Sequence, residues 1–290
     1  MIGRGFVSKY VIVADSGSDL KPDAIERYGI AVTPMHVTVG EETMDDGEIS
    51  PLEIYGRCRE MGVMPKTSAC APGDFNRVFD RVHAEHPDAT ILYLAYSAIT
   101  TCTYQSAQIA AEGRDYVRTF DTRIVSVGLG RLIVMVARYI EEHPDASVED
   151  IFSYADSVSA RVLLGFVPTD LAFLKAGGRL SNAAFLGAHL LKIKPCIEVI
   201  DGEFVATKKF RGSMLKASRA FLDHMVAQGD IDYSYIGLGY SMGLSEELRG
   251  DMETYARDLG FREIEWTQVG SVISCHCGPT AFGGVLFKKE

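Results

Sequence analysis

Apolar runs alternate with amphipathic segments through the first 145 residues of the chain. YVIVAD precedes SDLKPDAIERYG, IAVTPMHVTVG precedes SPLEIYGRCREMG, and ATILYLAYS precedes TTCTYQSAQIAAEG. This alternation is typical of βαβ units around a largely parallel sheet, whose ligands bind where strands end and helices begin. The run VSVGLGRLIVMVARYIEEHPDAS then predicts a long helix that stops before Pro144.

The second half of the chain has a more mixed pattern. SVEDIFSYADSVSARV predicts a helix, KPCIEVIDGEFVATKKF predicts a hairpin that turns at Asp201 and Gly202, and YSYIGLGYS predicts a strand before a helix and two final strands. We therefore predict an α/β protein with an N-terminal domain of a largely parallel sheet and flanking helices, residues 1–155, and a C-terminal mixed α/β domain, residues 156–290. A length of 290 residues suits two closely packed domains with a ligand cleft between them.

Composition restricts the partners of such a fold. Hydrophobic residues make up 47% and charged residues 23% of the chain, as expected for a globular protein. The formal net charge is -10 and dense Lys/Arg tracts are absent from the sequence, which argues against a nucleic-acid partner.

The apolar runs are shorter than the roughly 20 residues that span a bilayer, and the N-terminal run is too short for a signal-peptide core. We expect a cytoplasmic protein.

The stretch SCHCGPTAFGG near the C-terminus could hold a metal, pair a nucleophile with a base, or do neither. Read as a strand, SVISCHCG places Cys275 and Cys277 on one face and His276 on the other. Structural zinc requires four convergent ligands, and the sequence offers no second pair, so we expect no metal site here. The thiols are expected in the core. His276 could be an ordinary hydrogen-bonded histidine or a ligand-binding residue, and both interpretations stay open.

Hydroxyl side chains cluster in AYSAITTCTYQSAQIA, where a strand is expected to end and a helix to begin. Helix N-termini present unpaired N–H groups and a positive dipole, so Ser97 and Thr100 could join backbone donors around an anion. The same residues are also common helix caps, and both interpretations stay open. KTSACAPGDF adds Thr67 and Ser68 before a helix expected to begin near Pro72, and these hydroxyls would join the same site if the two loops are neighbours.

Glycine-rich segments do not match a nucleotide-binding motif. GLGYSMG has the spacing G-x-G-x-x-x-G, VGLGRL also lacks the dinucleotide spacing, and the sequence has no GK[ST]. KAGGRLSNAAFLGAHLLKIKP exposes backbone at Gly177 and Gly178 beside Arg179. The glycine pair is also what an ordinary helix C-cap requires.

Several segments, in the right order along nearly the whole chain, resemble the DegV family of two-domain fatty-acid-binding proteins. They are ADSGSDL, PMHVTVGEETMDDGEIS, KTSACAPGDF, TYQSA, KAGGRLS, KIKP, KKFRGSMLKA and HCGPTAFG. The resemblance implies a carrier that encloses one long-chain fatty acid in a tunnel between its domains. It also implies that the carrier has no cofactor or chemistry of its own and presents the fatty acid to a separate ATP-dependent kinase, which forms an acyl phosphate.

The resemblance also implies which residues do this. The carboxylate ligands would be Thr67, Ser97 and His276, with Ser68 close by. Two arginines, Arg179 and Arg211, would face the kinase or its phosphate. A transient contact with a membrane surface stays open.

The hydroxyl-rich loop departs from the family pattern in two places. Ala98 stands where a second serine usually follows the first, and Cys102 stands where glycine is usual. If the family's serine contact belongs to the second position, Ala98 removes it. The rival hypothesis is an acyl hydrolase in which Ser97 and His276 form a nucleophile and base, but Ser97, in AYSAI, does not stand in a G-x-S-x-G elbow. The carrier is therefore the favoured interpretation.

Overall fold

A computed structural model describes residues 9–178 and 193–290 of the chain. Its strands are β1 Tyr10–Asp15, β2 Ala31–Thr33, β3 His36–Val39, β4 Glu42–Asp45, β5 Lys66–Ser68, β6 Thr90–Ala95, β7 Val117–Asp121, β8 Val162–Val167, β9 Ile193–Ile200, β10 Glu203–Arg211, β11 Tyr235–Tyr240, β12 Glu263–Gln268 and β13 Phe282–Phe287. Its helices are α1 Pro22–Tyr28, α2 Pro51–Met61, α3 Pro72–Glu85, α4 Thr103–Ala111, α5 Ser126–Glu142, α6 Val148–Ser159, α7 Leu171–Ala176, α8 Met214–Val226, α9 Glu246–Asp258 and α10 Ser271–Cys277, with a short 3-10 turn at Ser16–Ser18. None of these helices is both long and apolar enough to cross a membrane.

The N-terminal half is built on a parallel sheet of four strands in the order β2-β1-β6-β7. β1 and β6 are buried along almost their whole length because α3, α4 and α5 pack against the sheet, and their sequences are accordingly continuous apolar runs. A smaller antiparallel sheet, β4-β3-β5, accompanies it. The predicted parallel α/β architecture of this half is confirmed.

The C-terminal half is built on a mixed sheet of six strands in the order β10-β9-β8-β13-β11-β12. α8 and α9 share a hydrophobic core with one face of this sheet. The predicted hairpin is confirmed, since β9 and β10 pair antiparallel around Asp201 and Gly202. Both turn residues have positive φ, 50° and 85°, as an Asp-Gly hairpin turn requires.

The predicted domain division, after residue 155, lies close to the point where the chain passes from one half to the other. The buried side chains of α6, Ile151, Ala155 and Val158, belong to the N-terminal core, and the chain enters the six-stranded sheet only at Val162. The division after residue 155 therefore falls within α6 and stays a prediction.

The two halves are closely packed along α5, which contacts β1 on one side and β11 and β13 on the other. A Cβ atom added at Gly130 would lie 2.6 Å from the Ser18 carbonyl oxygen, so a larger residue would push α5 away from the N-terminal half. The glycines of VGLGRL thus allow close packing of a helix.

The strand predicted for SVISCHCG is wrong, because Ser271–Cys277 form α10. The buried residues Ser271, Ser274 and Cys275 follow helical spacing, not alternation. Asp46 Oδ1 accepts hydrogen bonds from the N–H groups of Ser271 and the next residue at 3.1 and 3.2 Å, which satisfies donors of the first turn. This cap comes from a residue 225 positions away, so local periodicity could not reveal it.

A second carboxylate of the N-terminal half, Asp19, supports the same helix terminus. It accepts hydrogen bonds from the Gly270 N–H at 2.7 Å and from the Ser126 hydroxyl. Burial between the halves raises the pKa of Asp19 to about 7, and the neighbouring charge of Asp46 contributes to the rise. Burial also raises the pKa of Asp46. The packing of the two halves is therefore coupled to protonation.

We expect Asp19→Asn to change how stability depends on pH. In the folded protein Asp19 keeps its proton up to about pH 7, whereas the unfolded chain releases it near the ordinary value of 3.8. The folded state therefore binds the extra proton between these values, and the free energy of unfolding falls as the pH rises through this window. Urea denaturation should show the wild type losing stability relative to Asp19→Asn between about pH 4 and pH 7.

The exposed Asp88 provides the control, and Asp88→Asn should show no such trend. A difference between wild type and Asp19→Asn that is the same at every pH would contradict this assignment.

Candidate ligand-binding site

A cavity lies between the two halves of the chain. It contains about 960 Å³ of space not filled by atoms, part of which is open to solvent. Apolar side chains from both halves dominate its wall, among them Met35, Val127, Phe166, Leu174, Val199 and Phe204. Such a wall suits a ligand that is itself mostly apolar.

One polar pair in the wall joins the two halves. Thr67 Oγ1, on β5, lies 2.8 Å from His276 Nε2, on α10. Ser68 follows Thr67 on β5 and also lines the cavity. Of the ligand-binding residues predicted from the sequence, the structure brings these three to the cavity wall.

The position of His276 depends on a glycine after α7. A Cβ atom at Gly177 would lie 2.2 Å from His276 Nδ1, so the imidazole has room in this orientation only beside glycine. The same residue caps the end of α7, as the glycine pair suggested. On another side of α10, the Tyr55 hydroxyl donates to the Ser274 carbonyl at 3.2 Å. Contacts from three elements therefore fix the helix that carries His276.

Ser97 has a different partner from the one predicted. Its side chain is fully buried, and its hydroxyl donates to the Gly202 carbonyl at 2.8 Å, at the tip of the β9–β10 hairpin. Ala98 uses its N–H to bind Asp121 at 3.2 Å. Neither residue is among the described residues that line the cavity, and Ser97 does not pair with His276 as a nucleophile would with its base.

Only one of the two predicted arginines lies in the part of the chain that the structure describes. Arg179 lies outside the described residues. Arg211 is exposed at the end of β10, which is an edge strand of the six-stranded sheet. Its position is compatible with a contact to another protein, which stays a prediction.

The sequence did not indicate which apolar residues form the cavity wall. Strand alternation separates the two faces of β8 and β9, because neighbouring residues point in opposite directions. Phe166 and Val199 face the cavity, while Val167 and Cys196 face the core under α8. Alternation alone cannot tell which face meets a helix and which meets a ligand.

A family profile described as "Uncharacterised protein, DegV family" matches residues 9–289. The chain belongs to the DegV family. A DegV domain-containing protein of Caldanaerobacter subterraneus subsp. tengcongensis is 33% identical over 290 residues, which cover 98% of this chain and 100% of that protein. A DegV domain-containing protein of Deinococcus radiodurans is 30% identical over 283 residues, which cover 95% of this chain and 97% of that protein.

Solved structures of DegV-family proteins share this fold. A fatty-acid-binding DegV family protein from Thermus thermophilus has a TM-score of 0.85 and 28% identity, with 97% of this chain and 99% of that chain covered. DegV from Bacillus subtilis, a fatty acid binding protein, has a TM-score of 0.81 and 25% identity, with coverage of 96% and 99%. A stearic-acid-binding protein from Eubacterium ventriosum has a TM-score of 0.79 and 25% identity, with coverage of 96% and 98%. The predicted two-domain DegV fold is confirmed.

We expect Ser97→Ala to destabilise the protein in the absence of any ligand. The change leaves the buried Gly202 carbonyl without its hydroxyl donor, which costs about 1–3 kcal/mol of unfolding free energy. Urea denaturation of ligand-free protein measures the loss. Ser106→Ala, a matched change on α4, should cost less than about 0.5 kcal/mol. Unchanged stability together with lost ligand binding would return Ser97 to the role of a ligand.

Proposed function

We propose that this DegV-family protein binds one long-chain fatty acid in the cavity between its halves and holds the carboxylate at Thr67 and His276. The observation that carries the proposal is the polar pair that joins the two halves, with its atoms 2.8 Å apart, in a cavity whose wall is mostly apolar. The fatty acids bound by the Thermus thermophilus and Eubacterium ventriosum relatives support it.

Burial of the acyl chain would supply most of the affinity. Each buried methylene contributes about 0.8 kcal/mol, so a long chain contributes on the order of 10 kcal/mol before the costs of ordering. The carboxylate loses its hydration on entering the site, and hydrogen bonds must replace that hydration. Affinity therefore comes from the chain, and orientation comes from the head group.

Thr67 and His276 can supply the hydrogen bonds that replace the hydration of the carboxylate, without a large rearrangement. The Thr67 hydroxyl and the His276 imidazole are each able to donate or to accept a hydrogen bond. In the described structure they bind each other. A carboxylate placed beside them would accept from both, and Ser68 on the same strand offers a third hydroxyl. Ser97 would act indirectly, by keeping the hairpin that bears Phe204 in place.

We further propose that the protein is a carrier and that a separate ATP-dependent kinase phosphorylates the bound carboxylate. The described residues do not bring Ser97 and His276 together as a hydrolytic pair, because each binds another partner. The exposed Arg211 is a candidate contact for the kinase or its phosphate. On this proposal the carrier supplies solubility and orientation, and the kinase supplies the chemistry.

We expect Thr67→Val and His276→Ala each to raise the dissociation constant for a long-chain fatty acid. Each change removes one charge-assisted hydrogen bond of about 1.5–3 kcal/mol, which corresponds to a weakening of about 10- to 150-fold. Titration of delipidated protein with a fluorescent or isotopically labelled fatty acid measures the change. Thr67→Ser, which keeps the hydroxyl, and His86→Ala, at an exposed histidine, should bind nearly as well as the wild type.

A long-chain alcohol separates the head group from the chain in the same assay. The alcohol should bind the wild type more weakly than the acid and should be almost insensitive to His276→Ala. If neither substitution weakens acid binding, the carboxylate lies elsewhere; if the wild type takes up no long-chain acid at all, the proposed function is wrong.

We expect Arg211→Ala to leave fatty-acid binding unchanged and to slow phosphorylation of the bound acid by up to about fivefold, since an exposed charged contact contributes up to about 1 kcal/mol. The assay combines the loaded carrier, the kinase and ATP, and measures acyl phosphate. Arg262→Ala is the control, because Arg262 adjoins β12 at the opposite edge of the same sheet. Equal rates for the wild type and both variants would remove Arg211 from the kinase contact.

A further inference from the structure

A second polar cluster lies under α8, on the sheet face opposite the cavity. Cys196 and Glu198 are two positions apart on β9, so both side chains point to this face. His224 reaches them from α8. The next residue after Glu198, Val199, points to the other face of the sheet and lines the cavity. The cluster is therefore separate from the proposed fatty-acid site.

The three side chains converge on a small volume. His224 Nε2 lies 2.7 Å from Glu198 Oε1, and Cys196 Sγ lies 3.9 Å from the same oxygen. The three ligand atoms all lie within 4.8 Å of one another. A thiol, a carboxylate and an imidazole are the three side-chain groups that zinc sites use most.

Further residues orient Glu198. The Gln228 amide donates to Glu198 Oε2 at 2.7 Å, and the Thr207 hydroxyl donates to Oε1. Thr207 stands at the irregularity in the β9–β10 pairing, between Ala206 and Lys208. Such a bulge turns a side chain that regular pairing would direct elsewhere. Residues that hold a ligand in place by hydrogen bonds are a regular part of metal sites.

Burial and hydrogen bonds shift the pKa values of Cys196 and Glu198. Burial raises the pKa of Cys196 to about 12, so the thiol is neutral there. Burial opposes the charge on Glu198, but hydrogen bonds from Thr207, His224 and Gln228 hold its pKa below the usual value. The thiol gains little in this state, because it is a weak donor at a long distance from the carboxylate.

We propose that Cys196, Glu198 and His224 bind a divalent cation of the zinc class, with a fourth position open to water. Zinc bonds of about 2.0–2.3 Å in tetrahedral geometry place ligand atoms about 3.2–3.7 Å apart. The observed separations of 2.7 and 3.9 Å fall on either side of that range, so small side-chain shifts suffice. The thiol proton leaves to solvent when the cation binds, and His224 binds through Nε2 as the neutral tautomer that carries its proton on Nδ1.

A cation can reach this cluster from the edge of the sheet. β10 is an edge strand, Gln228 is exposed just beyond α8, and the side chain of His224 is 14% exposed. Solvent is therefore close to the open position.

The test is a titration of the full chain, treated with a chelator and reduced, with Co²⁺ and then with Zn²⁺. We expect one Co²⁺ per chain, a thiolate-to-cobalt charge-transfer absorption band, loss of the band when Zn²⁺ is added, and a higher melting temperature with metal. Cys196→Ser should abolish the band, and Gln228→Ala should weaken binding about 10- to 100-fold.

Cys102→Ser is the control for adventitious thiol binding, because Cys102 is exposed and outside the cluster. This variant should keep the band. A band that survives Cys196→Ser, or a wild type that binds no stoichiometric cation, would overturn the proposal. If circular dichroism shows that Cys196→Ser does not fold, the same titration on His224→Gln decides, since an unchanged Co²⁺ affinity there also overturns it.

Discussion

The structure depends on the way two carboxylates of the N-terminal half hold the first turn of a C-terminal helix. Asp46 and Asp19 accept hydrogen bonds from the N–H groups of Gly270, Ser271 and the next residue. This contact fixes α10, and α10 carries His276 to Thr67. The polar part of the cavity therefore exists only while the two halves are packed together. The Thr67–His276 pair and the packing of the halves therefore depend on the same set of hydrogen bonds.

Much of the fold could be predicted from the sequence, because its signals are local. Continuous apolar strands indicated the buried parallel sheet, and Asp201 and Gly202 indicated the hairpin turn, whose positive φ values they tolerate well. The C-terminal strand assignment failed where the deciding contact was not local, since the cap of α10 comes from Asp46 in the other half. For the site, residue types and family resemblance indicated Thr67, Ser68 and His276. They could not indicate that the Ser97 hydroxyl would find a carbonyl acceptor in a hairpin about 100 residues away along the chain, at a distance of 2.8 Å.

Metal-binding candidates were also hard to recognise from the sequence, because the groups that converge in the structure are far apart along the chain. In the sequence, the metal-site candidate was the group of adjacent residues around His276. In the structure, Cys275 packs in the core and His276 binds Thr67. The cluster under α8 takes its groups from a strand and from a helix 26 residues further on, and a bulge adds Thr207. Such a combination has no compact sequence motif. Only the packing of α8 on β9 reveals it.

The hydrogen bond from Ser97 to Gly202 has a consequence for kinetics. The hairpin tip is held against the N-terminal half, and the strands that it joins supply Val199 and Phe204 to the cavity wall. On the proposed function, a chain that leaves past these side chains would require the tip to move away, which would expose the buried Gly202 carbonyl to water. We expect the residence time of such a ligand to follow the rate at which this hairpin tip separates from the N-terminal half.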